Sequence, residues 1–283
     1  MKREEIRKIV HLALREDVGR GDITTNLLVT ASHKTEGYIL TREEAVICGL
    51  PFAREVFLAL DPSMEVHFLA KDGEKVKAGS KIITLKGKTR SILTGERVAL
   101  NFLSYLSAIA SRTKRFCDAV DGYKAKILDT RKTTPGLRLM ERYAVECGGG
   151  VNHRFNLNAM VLVKDNHRII SRQRERLSDT VRRLHRKTHK KVEIEVDHLW
   201  ELEDVLLAHP EMVLLDNMTN DELKKAVALA KKICPEKRPL LEASGGITLA
   251  NVREVAATGV DRISIGSLTH SRQAIDMTLE LEE

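Results

Sequence analysis

The sequence predicts an α/β protein: an incomplete (β/α) barrel over residues 113-270, preceded by an α+β domain over 1-112, with 271-283 returning to pack on that first domain. Three observations carry this reading. Short apolar runs recur from about residue 124, separated by helix-length stretches; each run ends in polar, chemically capable residues; and the first ~110 residues instead alternate apolar and polar positions between turns.

In the first domain, Ile6, Ile9, Val10, Ala13 and Leu14 form a helical stripe. The segments EGYILTREEAVICGL, EVHFLAKDGEKVKAG and KIITLKGKTRSIL then read as strands of an antiparallel sheet. Residues 71–87 resemble the hairpins of lipoyl- or biotin-carrier modules, but no lysine sits at a hairpin tip as attachment requires, so the segment reads as scaffold. Residues 91–111 read as a long helix with Arg97 as an outward-facing cation.

From there the runs are AKILDT, AMVLVKD, VEIEVD, EMVLLDN, PLLEAS and DRISIG, and the intervals between Asp129, Lys164, Glu195, Asp216, Glu242 and Ile265 are 35, 31, 21, 26 and 23 residues. That is the spacing of βα units, whose parallel strands are buried on both faces and therefore read as continuous apolar runs. Polar groups at every strand end favour a barrel, where all strand ends converge on one mouth, over a doubly wound sheet, where ligands gather at a single switch point. Only six strands are evident, so the barrel is expected to be incomplete or open on one side. After the last two runs come SGGI (Ser244, Gly245, Gly246) and IGSLTHS (Gly266, Ser267), glycine turns ahead of helices that suit a phosphate.

The formal charge of +7 is local. Residues 168–191 hold ten Lys/Arg against Glu175 and Asp179, a net +8, which leaves the remainder of the chain at −1. The stretch has no aromatic residue for base stacking and carries Leu177, Val181 and Leu184 at helical spacing, so it reads as one solvated basic helix rather than a nucleic-acid surface. His185 and His189 within it stand four apart, the spacing of a helical metal pair, but no acidic residue accompanies them as in HExxH. The charged start MKREEIRKIV and the absence of any ~18-residue apolar window predict a soluble, cytoplasmic protein that does not meet membranes. Cys48, Cys117, Cys147 and Cys234 form no CxxC pair and read as reduced, buried thiols. Tyr143 and Trp200 read as packing residues on helices, and His167 and His198 as helix-start or surface groups.

The chemistry concentrates in residues 129–138, DTRKTTPGLR, where Arg131, Lys132 and Arg138 gather around a Pro-Gly turn. His153 and Arg154 in GGGVNHRFNL and Lys164 in VLVKDNH join them if the strand ends converge. A fold holds so many like charges together only for an anionic ligand, and arginine forks suit carboxylates and phosphates. Glu195 and Asp216, carboxylates at neighbouring strand ends, suit Mg²⁺ or ribose hydroxyls and the stabilisation of a cationic transition state.

These motifs resemble one family, quinolinate phosphoribosyltransferase, also called carboxylating nicotinate-nucleotide pyrophosphorylase. The match runs through REDVGRGDITT, TGERVALNFL, DTRKTTPGLR, GGGVNHRFNL, VLVKDNH, the VEIEV and LLDN strand ends, EASGGI and GSLTHS, nearly the whole chain in order. The resemblance implies a sandwich-like N-terminal domain, an incomplete barrel, and a homodimer or higher oligomer whose sites combine two subunits. It implies conversion of quinolinate and phosphoribosyl pyrophosphate, with Mg²⁺ and no organic cofactor, to nicotinate mononucleotide, pyrophosphate and CO2 in NAD biosynthesis. By the family's pattern, Arg131, His153, Arg154 and Lys164 grip the two carboxylates of quinolinate, with Arg97 entering from the partner subunit. Lys132 and Lys164 face the pyrophosphate, Thr130 lines the substrate site, and Glu195 and Asp216 hold the ribose directly or through Mg²⁺. Ser244, Gly245, Gly246, Gly266 and Ser267 cradle the 5′-phosphate. One position departs from the pattern: Ala159 stands where an aspartate is common. The competing readings are a paralogue acting on another acceptor, a Schiff-base aldolase using Lys164, and an RNA-binding protein using the basic stretch.

Overall fold

A computed structural model describes residues 1–172, 175–271 and 273–282, which fall into two compact units. The first unit comprises Met1–Lys114, Thr134–Gly149 and Leu268–Glu283. Its helix Arg3–Val18 buries Ile6, Val10 and Leu14. The buried carboxylate of Glu55 on helix Leu50–Leu60 anchors that helix through Arg3 and Arg7, at 3.3 and 2.6 Å. Five strands follow the alternating segments: β1 (Lys34–Thr41), β2 (Ala45–Val46), β3 (Glu65–Phe68), β4 (Lys75–Val76) and β5 (Lys81–Lys88). The C-terminal strand Met277–Leu281, β1, β5 and β3 form one antiparallel sheet in that order, and β2 pairs separately with β4. The carrier-like hairpin is therefore divided between two sheets. The expected helix over 91–111 is longer, Thr89–Ala119.

Residues 134–149, placed by sequence in the barrel segment, group with this first unit. Their polar groups find partners there: the Tyr143 hydroxyl donates to Asp72 at 2.6 Å, and the Tyr105 hydroxyl donates to the buried carboxylate of Glu141. Helix Arg138–Cys147 carries both Tyr143 and Glu141.

The second unit, Arg115–Thr133 and Gly150–Ser267, is built on six parallel strands: β6 (Lys126–Leu128), β7 (Val161–Val163), β8 (Val192–Val196), β9 (Met212–Asp216), β10 (Leu240–Ser244) and β11 (Arg262–Ser264). Their order is β6-β11-β10-β9-β8-β7, a ring read backwards that stays open between β6 and β7. The barrel is thus incomplete. Val151 makes a single parallel bridge to Leu128 at the free edge of β6. The strands are apolar because Ile194, Val196, Val213, Leu215, Leu241 and Ile263 are almost entirely removed from solvent. At ~25 cal/mol per Å², each such side chain contributes about 1.5–3 kcal/mol of burial.

The basic stretch is two helices, Asp165–Arg172 and Leu177–Lys187, with residues 173–174 outside those described. It is also less solvated than its charge suggests. Arg168 is 2% exposed and pairs with Glu201 at 2.5 Å and Asp197 at 2.9 Å, while Ile169 and Ile170 face outward. The second helix ends at Lys187, so His189 does not share it with His185. His185 instead meets Glu211 at 3.3 Å. Trp200, expected to pack, is 64% exposed beside His198. All four cysteines are free thiols; Cys48 and Cys234 are buried and Cys117 and Cys147 half-buried. Among the described residues no helix is long and apolar enough to cross a membrane.

Candidate active site

Parallel strands deliver their side chains alternately inward and outward. In β8 this puts Glu193 and Glu195 on one face while Val192, Ile194 and Val196 occupy the other. Asp197, just beyond the strand, continues the polar face. At the carboxyl ends of β8 and β9, Glu195, Asp197 and Asp216 each place one oxygen within 4.8 Å of the others. Glu195 accepts the backbone N–H of Asp165 at 3.1 Å. Burial pushes its carboxyl up, and Asp216 and Asp165 add to the push, against the opposing amide and Lys164. Asp216 is raised as well, by burial first and then by Asp197, against the Ser244 hydroxyl, Lys164 and Lys132. Three carboxylates held this close repel one another and favour any cation brought among them. Asp197 and Asn217 were missed from sequence; the alternation Glu193, Glu195, Asp197 was the available signal for the first.

The turn after β10 is locked to the same place. Ser244 pairs in register with Asp216. Gly245 has φ +94°, and a Cβ on it would stand 2.0 Å from Asn217 Oδ1. Asn217, itself at φ 52°, donates from Nδ2 to Asp216 at 2.7 Å. Gly246 has φ +62° with open space where a side chain would be. The chain runs through residues 247–251 before helix Val252–Ala257, so no helix starts directly at the glycines as expected. Gly266 lies in the turn after β11, immediately before Ser267–His270.

Lys164 follows β7 and is exposed; its backbone N–H donates to His167 Nδ1 at 3.1 Å, so His167 is the helix-start group expected. Arg131 and Lys132 are exposed after β6, and the Thr130 hydroxyl accepts the Lys132 N–H at 3.0 Å, holding that turn. Arg131 lies close enough to Arg154 to lower its pKa, second to burial. Arg97 is exposed on helix Thr89–Ala119 of the first unit.

His153 stands apart from the mouth. Its ring reaches the barrel interior, with Nε2 3.2 Å from Glu193 and 3.3 Å from Glu242, and Nδ1 accepting the Arg154 N–H at 2.7 Å. Burial opposes the charged ring, but the two glutamates outweigh it and lift the pKa to about 9. The Arg154 amide contact suits only an unprotonated Nδ1 and so pulls the other way. Arg262 completes the cluster, 2.8 Å from Glu242. Both ring nitrogens of His153 are therefore spent inside the protein. His153 and Arg154 line a cavity of about 900 Å³ together with Met212, Leu240 and Arg262, the first residues of β9, β10 and β11, at the opposite end of the strands from Asp216. Ala159 lies on its wall.

The chain matches the C-terminal domain of quinolinate phosphoribosyl transferase over residues 109–280 and the N-terminal domain over 22–107. It belongs to the quinolinate phosphoribosyltransferase family. Similar members include a probable carboxylating nicotinate-nucleotide pyrophosphorylase of Synechocystis sp., 40% identical over 95% of this chain and 90% of that one. The Mycobacterium leprae carboxylating nicotinate-nucleotide pyrophosphorylase is 39% identical over 97% and 96%. Among solved structures, the nicotinate-nucleotide pyrophosphorylase of Francisella tularensis superposes with a TM-score of 0.92 at 38% identity, covering 100% of this chain and 98% of its own.

Proposed function

We propose that this protein transfers the phosphoribosyl group of phosphoribosyl pyrophosphate to quinolinate with loss of CO2, forming nicotinate mononucleotide and pyrophosphate in NAD biosynthesis. The observation that carries the reading is the mouth itself: Glu195, Asp197 and Asp216 facing Lys132 and Lys164 across the strand ends, beside the glycine turn after β10.

The chemistry follows from those charges. Departure of pyrophosphate leaves an oxocarbenium-like ribose, which Glu195 and Asp216 stabilise by their negative charge while Lys132 and Lys164 stabilise the leaving group. The quinolinate nitrogen then bonds to the ribose carbon. Once quaternary, it stabilises the carbanion left by the neighbouring carboxylate, which departs as CO2, and a proton from solvent then completes the ring carbon, so the reaction needs no organic cofactor. Arg131 and Lys164 offer the cations for the two carboxylates, while Arg154, on the wall of the cavity at the far end of the strands, donates its guanidinium to the Met160 carbonyl at 3.0 Å and is held through its backbone by His153. The all-oxygen donor set of Glu195, Asp197 and Asp216 suits Mg²⁺. Bound there, Mg²⁺ would neutralise charge on phosphoribosyl pyrophosphate. Gly246 leaves the open space in which the 5′-phosphate is received, and Gly245 lets the turn pass against Asn217. A homodimer would supply Arg97 to the neighbouring site, and the cytoplasm is where both substrates would be met.

The test is an assay of the purified protein with Mg²⁺ and phosphoribosyl pyrophosphate, offered quinolinate in one tube and nicotinate in another. Mononucleotide and CO2 from quinolinate alone are expected. Turnover of nicotinate without CO2, or of neither acid by a folded protein, overturns the assignment.

A further inference from the structure

Cys48, Asp72 and Cys147 take no part in the chemistry above, yet the first unit brings them together. Cys48 follows β2, Asp72 lies on the turn between β3 and β4, and Cys147 is the last residue of helix Arg138–Cys147. The two thiol sulfurs and one Asp72 oxygen all lie within 4.8 Å of one another. Cys48 and Asp72 are held from behind. The Cys48 N–H donates to the Ser107 hydroxyl at 2.9 Å, and that hydroxyl donates back to the Cys48 carbonyl at 3.2 Å. Asp72 accepts the Leu50 N–H at 3.1 Å on one oxygen and the Tyr143 hydroxyl at 2.6 Å on the other.

Burial raises the Asp72 carboxyl and the Cys48 thiol, whereas the hydrogen bond with Cys48 lowers the Cys147 thiol. Two sulfurs and one carboxylate oxygen converging on a single point are the donor set that a thiophilic cation takes.

We propose that Cys48, Cys147 and Asp72 form a binding site for one thiophilic divalent cation of the Zn²⁺ type, with Tyr143 as the outer partner that orients Asp72. A tetrahedral zinc takes sulfur at about 2.3 Å, which sets two thiolates roughly 3.8 Å apart, so the observed cluster closes on the ion with small side-chain shifts. Sulfur ligands select such an ion over Mg²⁺, and Asp72 supplies the third ligand, leaving the fourth position to water. Binding releases the thiol protons to solvent as the two metal–sulfur bonds form, so affinity rises with pH. The ion ties the β2 turn, the β3–β4 turn and the end of helix Arg138–Cys147 to one point.

The experiment titrates chelator-stripped full-length protein with Co²⁺, under a non-thiol reductant and with Mg²⁺ in excess to occupy the carboxylates of the second unit. One equivalent of Co²⁺ giving sulfur-to-metal charge-transfer absorption, displaced by Zn²⁺, is expected. Cys147→Ser should weaken binding at least about 10-fold and reduce that absorption, and Tyr143→Phe should weaken it roughly 10–100-fold, the range of outer-partner losses. Cys117→Ser should change nothing. Should Cys48→Ser fail to fold, the native titration and Tyr143→Phe decide alone. Cobalt bound without the charge-transfer band, a band that survives in Cys147→Ser, or a Cys48–Cys147 disulfide formed in place of metal uptake overturns the proposal.

Discussion

Replacing Gly245 by alanine should damage this protein in a way that replacing Gly246 does not. At Gly245 the new Cβ would stand 2.0 Å from Asn217 Oδ1 and 3.0 Å from its backbone nitrogen, at φ +94°. The backbone conformation alone costs an alanine about 1–2 kcal/mol. The contact cannot be tolerated, so Asn217 must move and surrender its 2.7 Å bond to Asp216, a charge-assisted hydrogen bond of about 1.5–3 kcal/mol. Together these predict a stability loss of about 2.5–5 kcal/mol for Gly245→Ala. Because Asp216 moves with its partner, kcat/KM should fall on the order of 100-fold, the penalty for misplacing a catalytic group by about 1 Å. Gly246→Ala meets no atom within 4 Å and sits at φ +62°, so it should cost only about 1 kcal/mol. Its methyl enters the space assigned to the phosphate, so KM for phosphoribosyl pyrophosphate should rise while the fold persists. Denaturant titration and steady-state kinetics of both variants provide the comparison. A Gly245→Ala protein with native stability and native kcat/KM would refute the reasoning, since the Asn217 linkage would then carry nothing.

Three further outcomes are expected. Asp261 is held near a pKa of about 2: burial opposes its charge but Arg238, paired at 2.6 and 2.7 Å, the Leu241 N–H and Lys124 prevail. A carboxylate depressed in the folded state contributes its stability above the unfolded value of about 3.9 and loses it as pH falls through 2, so Arg238→Ala should cost about 2 kcal/mol at pH 7, with a gap that narrows in acid denaturation curves. Asp197→Asn should raise the Mg²⁺ concentration for half-maximal activity at least about 10-fold while leaving melting nearly unchanged, because Arg168 keeps Glu201; an unaltered Mg²⁺ requirement would remove Asp197 from the site. His153→Ala strands the buried Glu193 and leaves Glu242 to Arg262 alone, and should cost about 3 kcal/mol, as breaking a buried pair does. The raised pKa puts this contribution fully in place below about 6.5 and lets it fade as pH rises through 9. Chemical denaturation at pH 6 and pH 10 should show the difference between native and variant shrinking.

Much of the barrel was legible because its strands are buried on both faces, so AKILDT, AMVLVKD and EMVLLDN stood out as continuous runs at βα spacing. The mouth carboxylates Glu195 and Asp216 were legible for the same reason: a charge at the end of an apolar run has little purpose in packing. The same double burial hid the strand's facing, so Glu193 and Asp197 did not declare themselves as sharing the inner side with Glu195. Arg168 was masked by its neighbours, since a run of cations reads as solvated until the buried acid of Glu201 is seen beside it. The partners of helix Arg138–Cys147, Tyr105 and Asp72, were not legible because they lie far away in sequence. Cys48 and Cys147 are 99 residues apart, and no spacing rule anticipates such an encounter.

The gap between β6 and β7 has a bearing on how this scaffold can change. A closed barrel fills its middle only with residues from its own strands, each fixed by ladders on both sides. Here Val151 rests on the free edge of β6, and two residues later His153 puts its ring between Glu193 and Glu242 in the middle of the ring of strands. Connecting segments vary more readily than strands. The slot therefore gives drifting sequence direct access to the centre of the barrel, where charge and shape can be revised one loop residue at a time without unpairing a strand.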